Sequence, residues 1–181
     1  YTTKGRAMPS EFDITVRPIL SVFLSSFRDI GYSFETALAD LVDNSISANA
    51  ENIKIFALPS TDMLVIFDDG DGMSDDTLLE AMRLGTQKEN RAKNDLGRFG
   101  LGLKTASFSQ CRKLTVFSKN EKSIAGYSWD LDFLSQKNEW LLQKASVHDL
   151  KGKLDALSPK IYEEFFNAKH ASLVVWEKMD R

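Results

Sequence analysis

Asp40 and Asn44 stand one helical turn apart in the stretch ADLVDNSISANA, residues 39–50. A carboxylate and a carboxamide at i, i+4 share one helix face. Together they can orient a water and ligate a hard, oxygen-seeking cation such as Mg²⁺. Asp43, Ser45, Ser47 and Asn49 add four more short polar side chains. Solvated helix faces are normally filled with Glu, Lys and Arg; Asp, Asn and Ser each cost a helix roughly a few tenths of a kcal/mol. That cost has a reason if the stripe formed by Asp40, Asn44 and Ser47 faces a ligand.

Two further stretches carry chemistry. FDDGDGM, residues 67–73, puts Asp68 at the end of an apolar run, followed by Gly70 and Gly72. Glycine there lets the backbone come close to something flat or bulky. An EF-hand does not fit: with Gly72 as the loop glycine, Phe67 takes the first ligand position and Leu78 the closing one. LGRFGLGLKTAS, residues 96–107, sets Gly97, Gly100 and Gly102 before a helix, with Lys104 in its first turn. Backbone N–H groups at a helix start favour anions. The P-loop pattern fails because Leu103 separates Gly102 from Lys104, and the dinucleotide pattern fails because Thr105 stands where glycine is required. From Arg83 to Lys104 there are six Lys or Arg and two Asp or Glu, a basic stretch in a chain of net charge −3.

The elements that must position these residues follow from periodicity and turn residues. Pro18 suits the first turn of a helix running to about Ile30, and Ser33 is an N-cap for a second helix reaching about Asn49. At 100° per residue, Phe34, Leu38, Leu41, Val42 and Ser45 form its core face. Residues 52–58 and 62–68 read as strands joined by a turn at Pro59. A helix capped by Ser74 is predicted over 75–84 and another after Gly100. Between them, 85–97 lacks periodicity and reads as a mobile, functional loop. Residues 113–119, 123–131 and 139–144 are predicted strands, followed by a helix over 157–167 and a strand from Ala171. Trp129, Trp140 and Trp176 are expected in the core, and His148 and His170 at the surface. Helices and strands in blocks predict a two-layer α/β (α+β) sandwich, its sheet mixed but mostly antiparallel and covered by helices on one face.

The bulk numbers suit one globular domain: 181 residues, 43% hydrophobic and 27% charged. The mild acidity gives no general case for nucleic-acid or membrane binding. A lone Cys111 excludes an internal disulfide framework and, with no signal peptide, points to a cytoplasmic setting. No apolar run approaches the roughly 20 residues of a membrane span. The start at Tyr1 suggests a domain taken from a longer protein.

The ordered set ADLVDNSISANA, DDGDGM and GRFGLGLKTAS resembles the GHKL ATPases, the superfamily of gyrase, heat-shock chaperone, histidine kinase and MutL, and within it the microrchidia (MORC)-type ATPases and their bacterial relatives. The likeness spans about 33–119, with a further element near 171–178. It implies the Bergerat ATP-binding fold over 1–181, with an N-terminal arm at 1–17 and an ATP lid at 85–104. It implies ATP and Mg²⁺ as ligands, with Asp40 as general base and Asn44 as metal ligand. Asp68, Gly70 and Gly72 would form the D-x-G-x-G motif, Asp68 accepting the adenine amino group, with Ala48 and Met73 lining the base. Gly97, Gly100, Leu101, Gly102, Leu103 and Lys104 would surround the phosphates, helped by Thr86 and Lys88 of the GTQK lid segment. Ser172 takes the place of a threonine hydroxyl.

The family commonly has Glu where this chain has Asp40, a carboxylate shorter by one C–C bond of roughly 1.5 Å. By resemblance the expected activity is slow ATP hydrolysis driving lid closure and dimerisation of a larger machine. A downstream transducer or effector domain, supplying a further lysine, is expected outside these residues. The alternative is a nucleotide-gated binding module with little hydrolysis, exchanging ATP and ADP. A histidine kinase is disfavoured, since His148 and His170 both lie far downstream of where a phosphoacceptor would be. Nucleic acid enters only by family analogy.

Overall fold

A computed structural model of the chain describes residues 19–29, 32–58, 62–84, 102–157 and 159–180. The elements in chain order are α1 (Leu20–Arg28), α2 (Phe34–Ser47), β1 (Ile53–Leu58), β2 (Met63–Asp68), α3 (Asp75–Met82), α4 (Gly102–Phe108), β3 (Cys111–Lys119), β4 (Ile124–Asp130), α5 (Leu131–Lys137), β5 (Gln143–Lys144), α6 (Val147–Leu157), α7 (Pro159–Asn167) and β6 (Ala171–Met179). The strands form one sheet in the order β1-β2-β6-β3-β4-β5. Every pairing among them is antiparallel. The last strand therefore enters the middle of the sheet, between β2 and β3.

Strand alternation sorts the side chains onto two faces. Leu64, Ile66, Leu114, Val116 and Trp176 point to one face and pack with Leu20, Leu24, Ala37, Leu41, Leu78, Ala106 and Leu134 from α1 to α5. The expected helical layer is thus present. Val65, Phe67, Phe117, Leu173 and Val175 point the other way and meet Leu150 and Leu154 of α6 and Ile161 and Phe165 of α7. This second, smaller layer was not legible beforehand, because only a helix at 157–167 was predicted there. Two helices occupy the stretch, the first starting where Ser146 Oγ accepts the His148 amide at 3.1 Å.

Local chemistry sets several boundaries. Ser33 Oγ accepts the Thr36 amide and Ser74 Oγ the Thr77 amide, each at 3.2 Å, so both predicted N-caps hold. The β4 strand stops at Asp130 because its carboxylate caps α5, accepting from Asp132 and Phe133 amides. That helix was absent from the sequence reading. It ends at Asn138, which takes the left-handed conformation at φ 51°. The predicted strand at 139–144 shrinks to Gln143–Lys144 for the same reason. Trp140 is 43% exposed, contrary to expectation, and lies edge-on to Phe23 and Trp129. Trp129 and Trp176 are in the core.

Helix α2 is rotated relative to its predicted core face. Ala37, Leu41 and Ser45 are buried, while Phe34 is 40% exposed and Val42 only half-buried. On a helical wheel this turns the buried stripe roughly 45° toward Asp40. The polar stripe thus borders the core instead of opposing it. Among the described residues no helix is long and apolar enough to cross a membrane. The predicted turn at Pro59, the N-terminal arm and most of the lid lie outside the described residues.

Candidate nucleotide site

Asp68 is the most constrained polar group of the site. It ends β2 on the same face as Ile66, toward the helices, and is 5% exposed. Its Oδ2 accepts Ser45 Oγ at 3.0 Å and its Oδ1 accepts the Gly70 amide at 3.1 Å. A carboxylate offers about four acceptor positions, so each oxygen keeps one for a ligand. Burial pushes the Asp68 pKa above the ordinary carboxylate range, only partly offset by those two hydrogen bonds.

The loop after Asp68 is fixed at nearly every residue. Asp69 Oδ1 accepts the Glu51 and Asn52 amides at 2.9 and 2.8 Å. The Asp71 amide donates to the Ala48 carbonyl at 2.7 Å, and Asn49 Nδ2 to Asp71 Oδ2 at 2.8 Å. His170 Nδ1 lies 2.9 Å from the Asp71 carbonyl oxygen, which can only accept, so Nδ1 donates there. The Met73 amide donates to Ser118 Oγ at 2.8 Å. Both glycines are sterically required. A Cβ on Gly70 would sit 2.6 Å from the Ala48 carbonyl oxygen. Gly72 has φ +63°, and a Cβ there would lie 1.9 Å from the Lys119 carbonyl oxygen.

The sheet register adds a polar row beside this loop. Asp68 pairs with Ser172, and Ser172 with Ser118, across β2, β6 and β3. Side chains in one register row share a face. The polar stripe of α2 lies next to it. Asp40 is half-buried with the Tyr32 hydroxyl in hydrogen-bonding reach; partial burial and then the Asp40 charge raise the Tyr32 pKa. Asn44 is exposed one turn on, its amide unengaged among the described residues, and Ala48 closes the helix beside Gly70.

The structure therefore gathers Asp40, Asn44, Ala48, Asp68, Gly70, Gly72, Met73 and Ser172 around the C-terminal half of α2 and the end of β2. The third motif is described only from Gly102, which opens α4 with Leu103 half-buried beside it. Lys104 is 1% exposed, and its ammonium donates to the Ala81 carbonyl in the last turn of α3 at 2.7 Å. Thr86, Lys88, Gly97, Gly100 and Leu101 lie outside the described residues. Sequence reasoning missed Ser118 as a site residue and treated Ser45 as core only. Both carried a readable signal, a hydroxyl at an inward position of an otherwise apolar strand or helix face.

A buried acceptor pair, a glycine loop locked beside it and an acid–amide stripe on the adjoining helix lie side by side at the end of β2. Residues 32–160 match the family model described as histidine kinase-, DNA gyrase B- and HSP90-like ATPase. The chain belongs to the GHKL ATPase family. Among curated proteins it is similar to ATPase MORC2B of Mus musculus, 32% identical over 95 residues, covering 49% of this chain and 9% of the relative. It is similar to ATPase morc-1 of Caenorhabditis elegans, 34% identical over 91 residues, 49% and 10% respectively. Protein MICRORCHIDIA 7 of Arabidopsis thaliana is 30% identical over 90 residues, 46% and 13%. The matched stretch thus spans about a tenth of these relatives. Membership of this family supports ATP binding and hydrolysis in general for this chain, which is similar to the MORC ATPases over about half its length.

Proposed function

We propose that this domain binds Mg²⁺·ATP and hydrolyses it slowly, and that lid closure over the triphosphate drives pairing of two copies within a larger protein. The observation that carries the reading is Asp68. A carboxylate 5% exposed, held from two sides and keeping one acceptor site on each oxygen, is complementary to a purine amino group. Ala48, Gly70 and Met73 are assigned to the surface that the base lies against. Asp40 holds a water for in-line attack and takes its proton. Asn44 offers a neutral oxygen from an amide with no partner among the described residues, which fits a Mg²⁺ ion that takes one or two protein ligands and fills its shell with phosphate and water. When bound, that ion neutralises charge on the phosphate oxygens. Thr86, Lys88, Gly97, Gly100, Leu101, Gly102 and Leu103 are assigned to the phosphate end. Lys104 joins them on release from Ala81.

One observation favours the second reading, a nucleotide-gated module with little turnover. Asp40 is one methylene shorter than the family's usual Glu, and the Tyr32 hydroxyl is beside it. A misplacement of ~1 Å can cost ~10²-fold in rate. Calorimetry with a non-hydrolysable ATP analogue and Mg²⁺, paired with a phosphate-release assay, separates the two. Binding with turnover that Asp40→Asn abolishes supports the first reading; binding with no turnover supports the second. Absence of binding refutes both.

A further inference from the structure

His170 stands between α7 and β6, and its ring lies between two acceptors from different parts of the chain. Nδ1 is 2.9 Å from the Asp71 carbonyl oxygen in the glycine loop, and Nε2 is 3.9 Å from Glu121 Oε1 in the turn between β3 and β4. A carbonyl and a carboxylate can only accept. The neutral ring has one N–H, which Asp71 takes, so Nε2 then turns a lone pair toward Glu121. The imidazolium has an N–H on each nitrogen and serves both acceptors at once. Among the described residues His170 is the only partner of the Asp71 carbonyl. The turn that carries Glu121 is tied by Asn120, whose Oδ1 accepts the Lys122 and Ser123 amides at 3.0 and 2.9 Å. The other charged groups on these elements have their own partners or face water. The carboxylates of Asp69 and Asp71 take Asn52 and Asn49, Lys119 donates to the Phe166 carbonyl, and Lys122 and Lys169 are exposed.

We propose that His170 is a positioning residue for the nucleotide: in its protonated form it bridges Glu121 and the Asp71 carbonyl and so holds the glycine loop in place, and ATP binds more tightly when the ring is charged. The inference rests on the nucleotide reading above, in which Asp68 and the loop after it meet the base. A loop that is held for only part of the time binds its ligand in proportion to the held fraction, so a contact that raises this fraction raises affinity. The sign follows from the donors. The Nε2 hydrogen is present at low pH and is lost as pH rises, and the attraction to Glu121 is lost with it. Both side chains are partly exposed, so the pair is screened and is worth at most about fivefold in affinity.

The test measures binding of a non-hydrolysable ATP analogue with Mg²⁺ by calorimetry, at the two ends of the range where imidazole changes charge, about pH 5 to 8. The nucleotide's own titration is common to all variants and cancels between them. His170→Asn keeps an N–H close to the place of Nδ1 but carries no charge. It is expected to match the native protein at the alkaline end and to bind about two- to fivefold more weakly at the acid end. Glu121→Gln, a change at an exposed position, keeps the ring and its bond to Asp71, and is expected to show the same loss at the acid end only. His170→Ala lacks the bond to Asp71 and is expected to bind more weakly at both ends, by up to about tenfold. A histidine that only supported the fold would lower the melting temperature when replaced and leave the pH profile of binding unchanged. A native profile that persists in His170→Asn or in Glu121→Gln therefore overturns the proposal, whereas a native protein that binds no nucleotide at either end removes the reading on which it rests.

Discussion

Replacing Asp68 by Asn separates the cost of burying a charge from the use made of it. The side chains are isosteric, and the internal bonds can be rebuilt without movement. The Asn carbonyl keeps the Gly70 amide, while its Nδ2 donates to Ser45 Oγ, which turns its own hydrogen to the Leu41 carbonyl at 3.3 Å. Burial raises the Asp68 pKa in the folded state, so the native protein holds this proton more readily than the unfolded chain. Stability from this group is therefore present at low pH and lost as pH rises through the folded pKa, above which the buried anion is a full cost. The Asn variant has no such cost. It should melt no lower than the native protein at pH 7, with the difference vanishing in acid as Asp68 takes up its proton.

Binding should move the opposite way. An amide puts an N–H where the purine amino group needs an acceptor, and a hydrogen bond to a charged group is worth about 1.5–3 kcal/mol. At 1.4 kcal/mol per tenfold, that weakens ATP binding by about 10- to 150-fold. Thermal melts across pH and calorimetry with a non-hydrolysable analogue measure the two halves. An Asn variant that binds ATP as tightly as the native protein would refute the assignment. One that melts several degrees lower at pH 7 would refute the burial argument.

Four other outcomes follow from the same geometry. Asp40→Asn should abolish phosphate release with nucleotide affinity within about threefold of native, since an amide keeps shape but takes no proton; unchanged turnover would remove Asp40 from the chemistry. Asn44→Ala should weaken Mg²⁺-dependent ATP binding while leaving metal-free binding alone, which titrations with and without chelator would reveal. Gly72→Ala should cost more than about 2 kcal/mol in denaturant melts, since the residue combines a left-handed backbone with a backbone oxygen where its Cβ would go. Lys104→Met should lower the melting temperature because Ala81 loses its donor; a lysine that only met phosphates would leave the melt unchanged and affect ATP alone.

The three polar stretches could be read in advance because their chemistry is local. Cap residues such as Ser33 and Ser74 act within three residues, and the Asp68-Gly70-Gly72 loop needs glycine for reasons a single turn contains. The sixth strand and the burial of Trp176 were anticipated from local patterning, whereas the α2–β2 neighbourhood was anticipated only through the family resemblance. Other features depended on distant partners. Nothing within α2 says that the buried stripe centres on Ala37 and Leu41 instead of Leu38 and Val42; α4 and the sheet decide it. Asp130 reads as the tail of a strand until its carboxylate is seen capping α5, and Trp140 reads as core until Asn138 turns the chain outward.

The sequence alone determined which residue types are available for chemistry and the local turns that present them, because those depend on bonding within a few residues. Tertiary structure decided which of them meet. The insertion of β6 between β2 and β3 sets Asp68, Ser172 and Ser118 in one row, although they are separated by up to 104 positions along the chain. It also turned the Lys104 ammonium to the end of α3. Both are matters of sheet order and helix packing, which are set by burying two apolar faces at once and leave no mark on any short stretch of residues.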